Sequence, residues 1–267
     1  MKIIECLHTD SRCYKAAQPA LPIGIVVHST GVKNPTMKRW VQPSRGDPNY
    51  NELIAQIGKN GNGNSWNRDV KKSAHYVIGK LANGTVGTAY ILPEDFCAWA
   101  IGSGKKGSYN YNPTAHIQFE ICEDGLTNET YFKDCYNAAV TLCFDICSRW
   151  GWEADVIVSH KEAYKLGYGS NHADIDHWLK KFGFTMDDFR HDVDLLLHPA
   201  KIPEVGDTVE FTGNLQYTNA NKILGKKAKP GTAKIVQIYQ LGKSRHPYLI
   251  KGSTVYGWVN EEDIRVI

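Results

Sequence analysis

No run of apolar residues in this sequence is long enough to span a bilayer, so no membrane insertion is expected. The first ten residues interrupt their apolar positions with Glu5, His8 and Asp10. They lack the continuous apolar core of a secretory signal, and the expectation is a protein made in the cytoplasm without a signal peptide. No Cys-x-x-Cys pair occurs, and the seven cysteines are odd in number. A disulfide framework is therefore not indicated. Cys135, Cys143 and Cys147 instead recur on one face of an expected helix, where free thiols pack as small apolar groups. A dense basic stripe is also missing, which argues against a nucleic-acid partner.

What is present is the composition of an ordinary folded protein, 42% apolar and 22% charged, and this excludes disorder. A chain of 267 residues can bury one substantial core and still hold a second, smaller domain. Runs at 23–30, 73–79, 85–92, 115–122 and 155–160 read as strands. Asn83-Gly84 marks a hairpin between the second and third of them, so part of the sheet is antiparallel. Apolar side chains at helical spacing over 131–150 stop before Gly151, a residue suited to a helix C-cap. A further helix is expected over 186–197, opened by Thr185 with Asp188 three residues on, as in a capping box. The fold class these elements imply is α/β, a mixed central sheet flanked by helices.

Two of the ten histidines end apolar runs: His28 closes Ile23-Gly-Ile-Val-Val-His28 and His160 closes Asp155-Val-Ile-Val-Ser-His160. Parallel strands ending at one sheet edge would bring the two rings together, and Asp174 could return across a loop fourteen residues after His160. Two nitrogens and one oxygen make the donor set of an open zinc site, in which the fourth position is left for water. Spacing alone leaves a plain alternative, since a histidine after a strand also serves as a hydrogen-bonded core residue. Asp176 and His177 lie in the same short segment and compete with Asp174 for the metal.

Four separated segments carry a resemblance. Ile25-Val-Val-His-Ser-Thr30, Ser73-Ala-His-Tyr-Val-Ile78, His116-Ile-Gln-Phe-Glu120, and Ser159-His-Lys-Glu162 followed by Ser170-Asn-His-Ala-Asp174 resemble, in order, the motifs of zinc-dependent N-acetylmuramoyl-L-alanine amidases of the amidase-2 type. These are relatives of peptidoglycan-recognition proteins, and the Ser-Asn-His-Ala-Asp version is similar to that of phage endolysins. The resemblance implies Zn2+ as cofactor, held by His28, His160 and Asp174, and the peptidoglycan of a Gram-positive-type wall as partner. It makes Glu120 the catalytic proton carrier and His172, where many relatives have lysine, a stabiliser of the oxygen anion. His75 is assigned to the metal's surroundings or to the substrate cleft, and so is Trp99, although Trp99-Ala100 departs from relatives with Trp-His. A non-catalytic peptidoglycan-binding module and a host autolysin stand as alternatives. A zinc peptidase cutting the stem peptide is disfavoured, because no His-Glu-x-x-His motif is present.

Residues 31–72 read as a long surface insertion with a short helical stretch near 51–58. Trp40 and Trp66 within it favour a substrate groove, because aromatic faces stack on sugars. After Pro203 the pattern becomes short strands and turns, a small all-β barrel. Tyr256-Gly-Trp-Val-Asn-Glu-Glu-Asp-Ile264 resembles bacterial SH3-like wall-binding domains. The expected division is a catalytic domain at 1–200 and a wall-binding domain at 201–267. Charge divides similarly: 201–267 holds ten Lys/Arg against six Asp/Glu, a net of +4, whereas 1–200 holds 21 against 22. Such an order suits an endolysin that acts on the wall after release from the cell.

Overall fold

The computed structural model describes residues 3–61, 71–199 and 201–267. They form two compact units, 1–198 and 199–267. The first unit is built on strands β1 (Ile3–Glu5), β2 (Ile25–Ser29), β3 (Tyr76–Lys80), β4 (Val86–Tyr90), β5 (Ile117–Ile121) and β6 (Ile157–Ser159). Its helices are α1 (Arg12–Ala16), α2 (Tyr50–Ile57), α3 (Glu129–Trp150), α4 (His160–Leu166), α5 (Asp176–Lys181) and α6 (Met186–Leu197). The sheet order is β1-β4-β3-β5-β2-β6, and only the β3–β4 pair is antiparallel. Asn83-Gly84 makes that turn: Gly84 has φ of +85°, and Asn83 Oδ1 accepts from the Thr85 amide and hydroxyl.

Strands β2 and β5 sit in the middle of the sheet and are covered on both faces. Ile25, Val27, Ile117, Phe119 and Ile121 pack into the main core with α3, α5 and α6, where Phe132, Trp178 and Phe189 are fully buried. Burial of each such side chain contributes about 1.5–3 kcal/mol. The alternate residues point the other way. Val26 packs with Ile101, Tyr109 and Ala163, and the polar side chains His28, Gln118 and Glu120 fall on this second face by the same period of two. A sheet that buries one face in hydrocarbon thus presents a row of polar groups on the other.

The caps expected at Gly151 and Thr185 are in place, and Asn128 adds a third. Asn128 caps α3 by accepting from the Tyr131 amide, and Gly151 ends it in the left-handed region at φ +68°. Thr185 and Asp188 form a reciprocal capping box on α6. Strand β1 and helices α1, α4 and α5, which the periodicity does not reveal, are all short: three to seven residues. All seven cysteines are free and buried. No helix among the described residues is long and apolar enough to cross a membrane.

Trp40 departs from the groove position expected of it. Trp40 packs against a satellite core of Met37, Val41, Leu53, Ile57 and Cys122 under α2, away from the histidines, because a half-buried indole gains more from that apolar contact than from solvent. Trp66 lies outside the described residues.

The second unit comprises β7 (Thr208–Phe211), β8 (Leu215–Gln216), β9 (Lys226–Lys227), β10 (Gly231–Ile238), β11 (Tyr248–Gly252), β12 (Tyr256–Val259) and β13 (Ile264–Val266). Five of these make an antiparallel sheet in the order β12-β11-β10-β7-β13, while β8 and β9 pair separately. Val209, Phe211, Ile235, Tyr248, Ile250 and Val259 form its core. This is a small all-β domain.

Candidate active site

The parallel register of β2 and β5 sets His28 directly beside Glu120. On the other side β6 runs parallel to β2, and the chain turns at Ser159 into α4, so that His160 occupies the first helical position. Ser159 and Glu162 form a capping box, each bonding the other's backbone amide. Glu162 also pairs with Arg190 of α6 at 3.0 Å. In the segment Ser159-His-Lys-Glu162, then, serine and glutamate fix where the helix starts and histidine faces the cleft. Asp174 arrives on the loop between α4 and α5, and its carbonyl accepts from the Lys161 amide.

Three ligand atoms converge there. His28 Nδ1 lies 3.0 Å from His160 Nδ1 and 3.2 Å from Asp174 Oδ2, and His160 Nδ1 lies 3.3 Å from the same oxygen. Metal–ligand bonds of about 2.0–2.1 Å in tetrahedral array subtend edges of roughly 3.3–3.4 Å, so the three atoms sit close to the spacing a zinc ion needs. All three side chains are buried, at 1%, 3% and 8% exposure. Burial opposes ionisation of Asp174, but the hydrogen bonds from His160 and His28 overcome it and hold the carboxyl well below the usual carboxylate range.

The outer nitrogens are also committed. His28 Nε2 lies 3.1 Å from Gln118 Oε1, and His160 Nε2 lies 3.1 Å from Ser170 Oγ. An Nε2–H that donates to such an acceptor leaves the Nδ1 lone pair facing the other ligand atoms. Gln118 is itself held: its side-chain amide donates to Asn110 Oδ1 at 2.9 Å, and its backbone amide donates to His75 Nδ1 at 2.9 Å. His75 in turn contacts the Phe96 carbonyl through Nε2 at 2.9 Å. Buried at 1% exposure, His75 supports β5 and is not among the residues that line the cleft.

The cleft holds about 390 Å³. Glu120, Trp99, Ser170 and His172 line it together with the three ligand residues, and Lys71 and Lys72 reach its rim. Glu120 Oε2 is buried and has no hydrogen-bond partner among the described residues. Burial first, and then the charges of Asp174 and Glu123, push its carboxyl well above the usual range. His172 is 61% exposed, stacks on the His160 ring at 4.7 Å, and brings Nδ1 to 3.7 Å from Asp174 Oδ1. The Lys71 ammonium stands 3.0 Å above the Trp99 ring. A larger groove of about 770 Å³ beside α3 and the β3–β4 turn contains one carboxylate, Asp134, and no histidine.

His177, one competitor for the metal, is engaged elsewhere: its Nε2 lies 3.0 Å from Glu123 Oε1, which also accepts from the Ser29 hydroxyl at 2.6 Å. That hydrogen bond raises the pKa of His177 against its partial burial. Asp176 is the first residue of α5 and stands outside the ligand group. Gln118 and Glu123 were not singled out from sequence. Alternation places Gln118 on the face of Glu120, and only that periodicity pointed to it.

These features define a cleft at the edge of a mixed α/β sheet with a donor set for one open metal site. The sequence matches the family Amidase_2, N-acetylmuramoyl-L-alanine amidase, over residues 18–175. That is more than half of the chain, and the chain belongs to this family of peptidoglycan amidases. Among solved structures it is similar to the Staphylococcus aureus hydrolase AmiA in complex with its ligand, at 17% identity and TM-score 0.47, over 74% of this chain and 84% of that one. PlyL is similar at 19% identity and TM-score 0.47, over 72% and 97%. A mutant endolysin from Bacillus subtilis is similar at 19% identity and TM-score 0.46, over 72% and 99%. No curated protein matches the sequence. The family assignment rests on the sequence match.

Proposed function

We propose that the protein is a zinc-dependent amidase of the endolysin type that cuts between the lactyl group of N-acetylmuramic acid and L-alanine. The observation that carries this reading is the convergence of His28 Nδ1, His160 Nδ1 and Asp174 Oδ2 at tetrahedral-edge distances beside Glu120. Zinc bound to these three residues would polarise the scissile carbonyl and acidify the attacking water. Glu120 lines the cleft with an Oε2 that has no partner among the described residues, and it takes the proton from water and returns it to the leaving amine. His172, exposed and stacked on His160, donates to the oxygen that becomes negative. Trp99 offers an indole wall to the substrate. Residues 201–267, an SH3-like wall-binding domain in this reading, keep the enzyme on its insoluble substrate and raise its effective concentration there.

Digestion of purified walls is expected to release new L-alanine amino termini, scored by mass spectrometry of the muropeptides. Reducing sugar ends in their place would make the enzyme a glycosidase and end the proposal.

Gln118 supplies a second, independent expectation. Without an acceptor for Nε2–H, the His28 ring loses its fixed tautomer and orientation, so Gln118→Leu should weaken zinc binding by about 10–100-fold. Competition with a chromogenic chelator would read this. Gln118→Glu keeps the acceptor for Nε2–H but sets a second carboxylate oxygen against Asn110 Oδ1, and should restore only part of the affinity, an outcome that a loss of packing alone does not produce.

A further inference from the structure

The second unit carries a cleft that the amidase chemistry does not use. It holds about 390 Å³ and is lined by Gln216, Tyr217, Thr218, Lys226, Leu249, Tyr256, Gly257 and Trp258. Three of these side chains are aromatic. Tyr256 is 65% exposed, which costs an isolated tyrosine its burial energy and is unusual beside two further rings.

The Tyr217 ring is held from behind. Tyr217 pairs with Trp258 across an isolated bridge and stacks on His246 at 3.4 Å with an 8° interplanar angle. His246 is buried and anchored through both nitrogens, Nε2 to the Lys222 carbonyl at 2.9 Å and Nδ1 to Asn260 Oδ1 at 2.6 Å. Gln216 Oε1 accepts from the Tyr256 amide at 2.7 Å, which ties the facing strand to the same platform. At Gly225 a β-carbon would come within 3.0 Å of the Tyr217 ring, so a glycine lets the chain lie against its edge. Side chains fixed before a ligand arrives lose little entropy on binding it.

Charge selects among ligands. Lys226 lines the cleft, Lys251 places its ammonium 5.6 Å from the Tyr256 ring centroid, and no aspartate or glutamate is among the lining residues. Flat aromatic faces suit the C–H face of a pyranose, which a glycerol-phosphate chain does not have. Lysines beside them suit an anion, which a neutral glycine peptide does not have. From these two requirements we infer that the cleft binds a glycan whose sugars carry carboxylates. Resting on the amidase reading above, the source of the carboxylate follows: water and the lactyl amide give a lactyl carboxylate and the free ammonium of L-alanine. Each cut therefore leaves one new negative charge on the glycan strand, and the cleft would hold the enzyme on strands it has already stripped.

The test titrates the full-length protein calorimetrically with glycan oligomers of N-acetylglucosamine and N-acetylmuramic acid whose lactyl groups are free. Saturable binding is expected. Chitotetraose has the same ring faces and no carboxylate, and should bind at least about ten-fold more weakly. Tyr256→Ala and Lys226→Ala should each weaken glycan binding by about five-fold or more, with the melting temperature of the protein unchanged because both side chains are exposed. Equal affinity of either variant and the parent overturns the inference. So does equal or tighter binding of chitotetraose, triglycine or a glycerol-phosphate polymer. Release of L-alanine amino termini by the same preparation separates the two readings: hydrolysis without glycan binding overturns the cleft alone, and glycan binding without hydrolysis overturns the proposed source of the charge.

Discussion

Glutamine in place of Glu120 is expected to lower kcat by about 10²–10⁴-fold while zinc content stays at one per chain. The substitution keeps the size and planarity of the side chain and removes only its ability to take a proton. The β2–β5 register sets Glu120 beside His28, and its Oε2 has no hydrogen-bond partner among the described residues. The metal-free protein offers a second readout. Burial and the neighbouring carboxylates raise the folded-state pKa of Glu120 above its unfolded value, so between those values the folded state binds the extra proton. Stability contributed by that proton is present at low pH and lost as pH rises through the folded value. Glu120→Gln should therefore melt higher than the parent apoprotein at the upper end of this window and match it at acid pH. Unchanged turnover would remove Glu120 from the mechanism.

Alanine at His28 is expected to give a protein that binds well under one zinc per chain and hydrolyses walls at background rate. Its thermal stability should fall by far less than complete unfolding. The core of the first unit is made by α3, α5, α6 and the opposite face of the sheet, and it does not depend on the metal. The loss should be about 1–3 kcal/mol, the cost of leaving Gln118 Oε1 buried without its donor. His177→Ala should retain zinc, because His177 is tied to Glu123. Metal analysis of both purified variants checks the pair of outcomes together. A His28→Ala protein with a full zinc complement, or a His177→Ala protein without one, would reassign the ligands.

Much of this architecture is legible along the chain. Period-two alternation marks β5 as a strand with Gln118 and Glu120 on one face, and the 131–150 periodicity with Gly151 marks α3 and its end. Asn83-Gly84 and the Thr185/Asp188 box are local chemistry, decided within four residues, and they are where sequence expects them. The Ser159/Glu162 box is equally local. Very short elements such as β1 and α5 hold too few residues for a period to show.

Sequence by itself determined strands β2–β6 and helices α2, α3 and α6, which face of α3 and β5 is apolar, and the family, whose match over residues 18–175 spans His28, Glu120, His160 and Asp174. Only the tertiary structure decided that Trp40 packs under α2, that His75 stands behind Gln118, and that Gln118 holds His28. The reason is range. Periodicity and capping arise from neighbours within a few residues, whereas His28 meets Gln118 and Asp174 across 90 and 146 residues, through a strand order and register that no local pattern encodes.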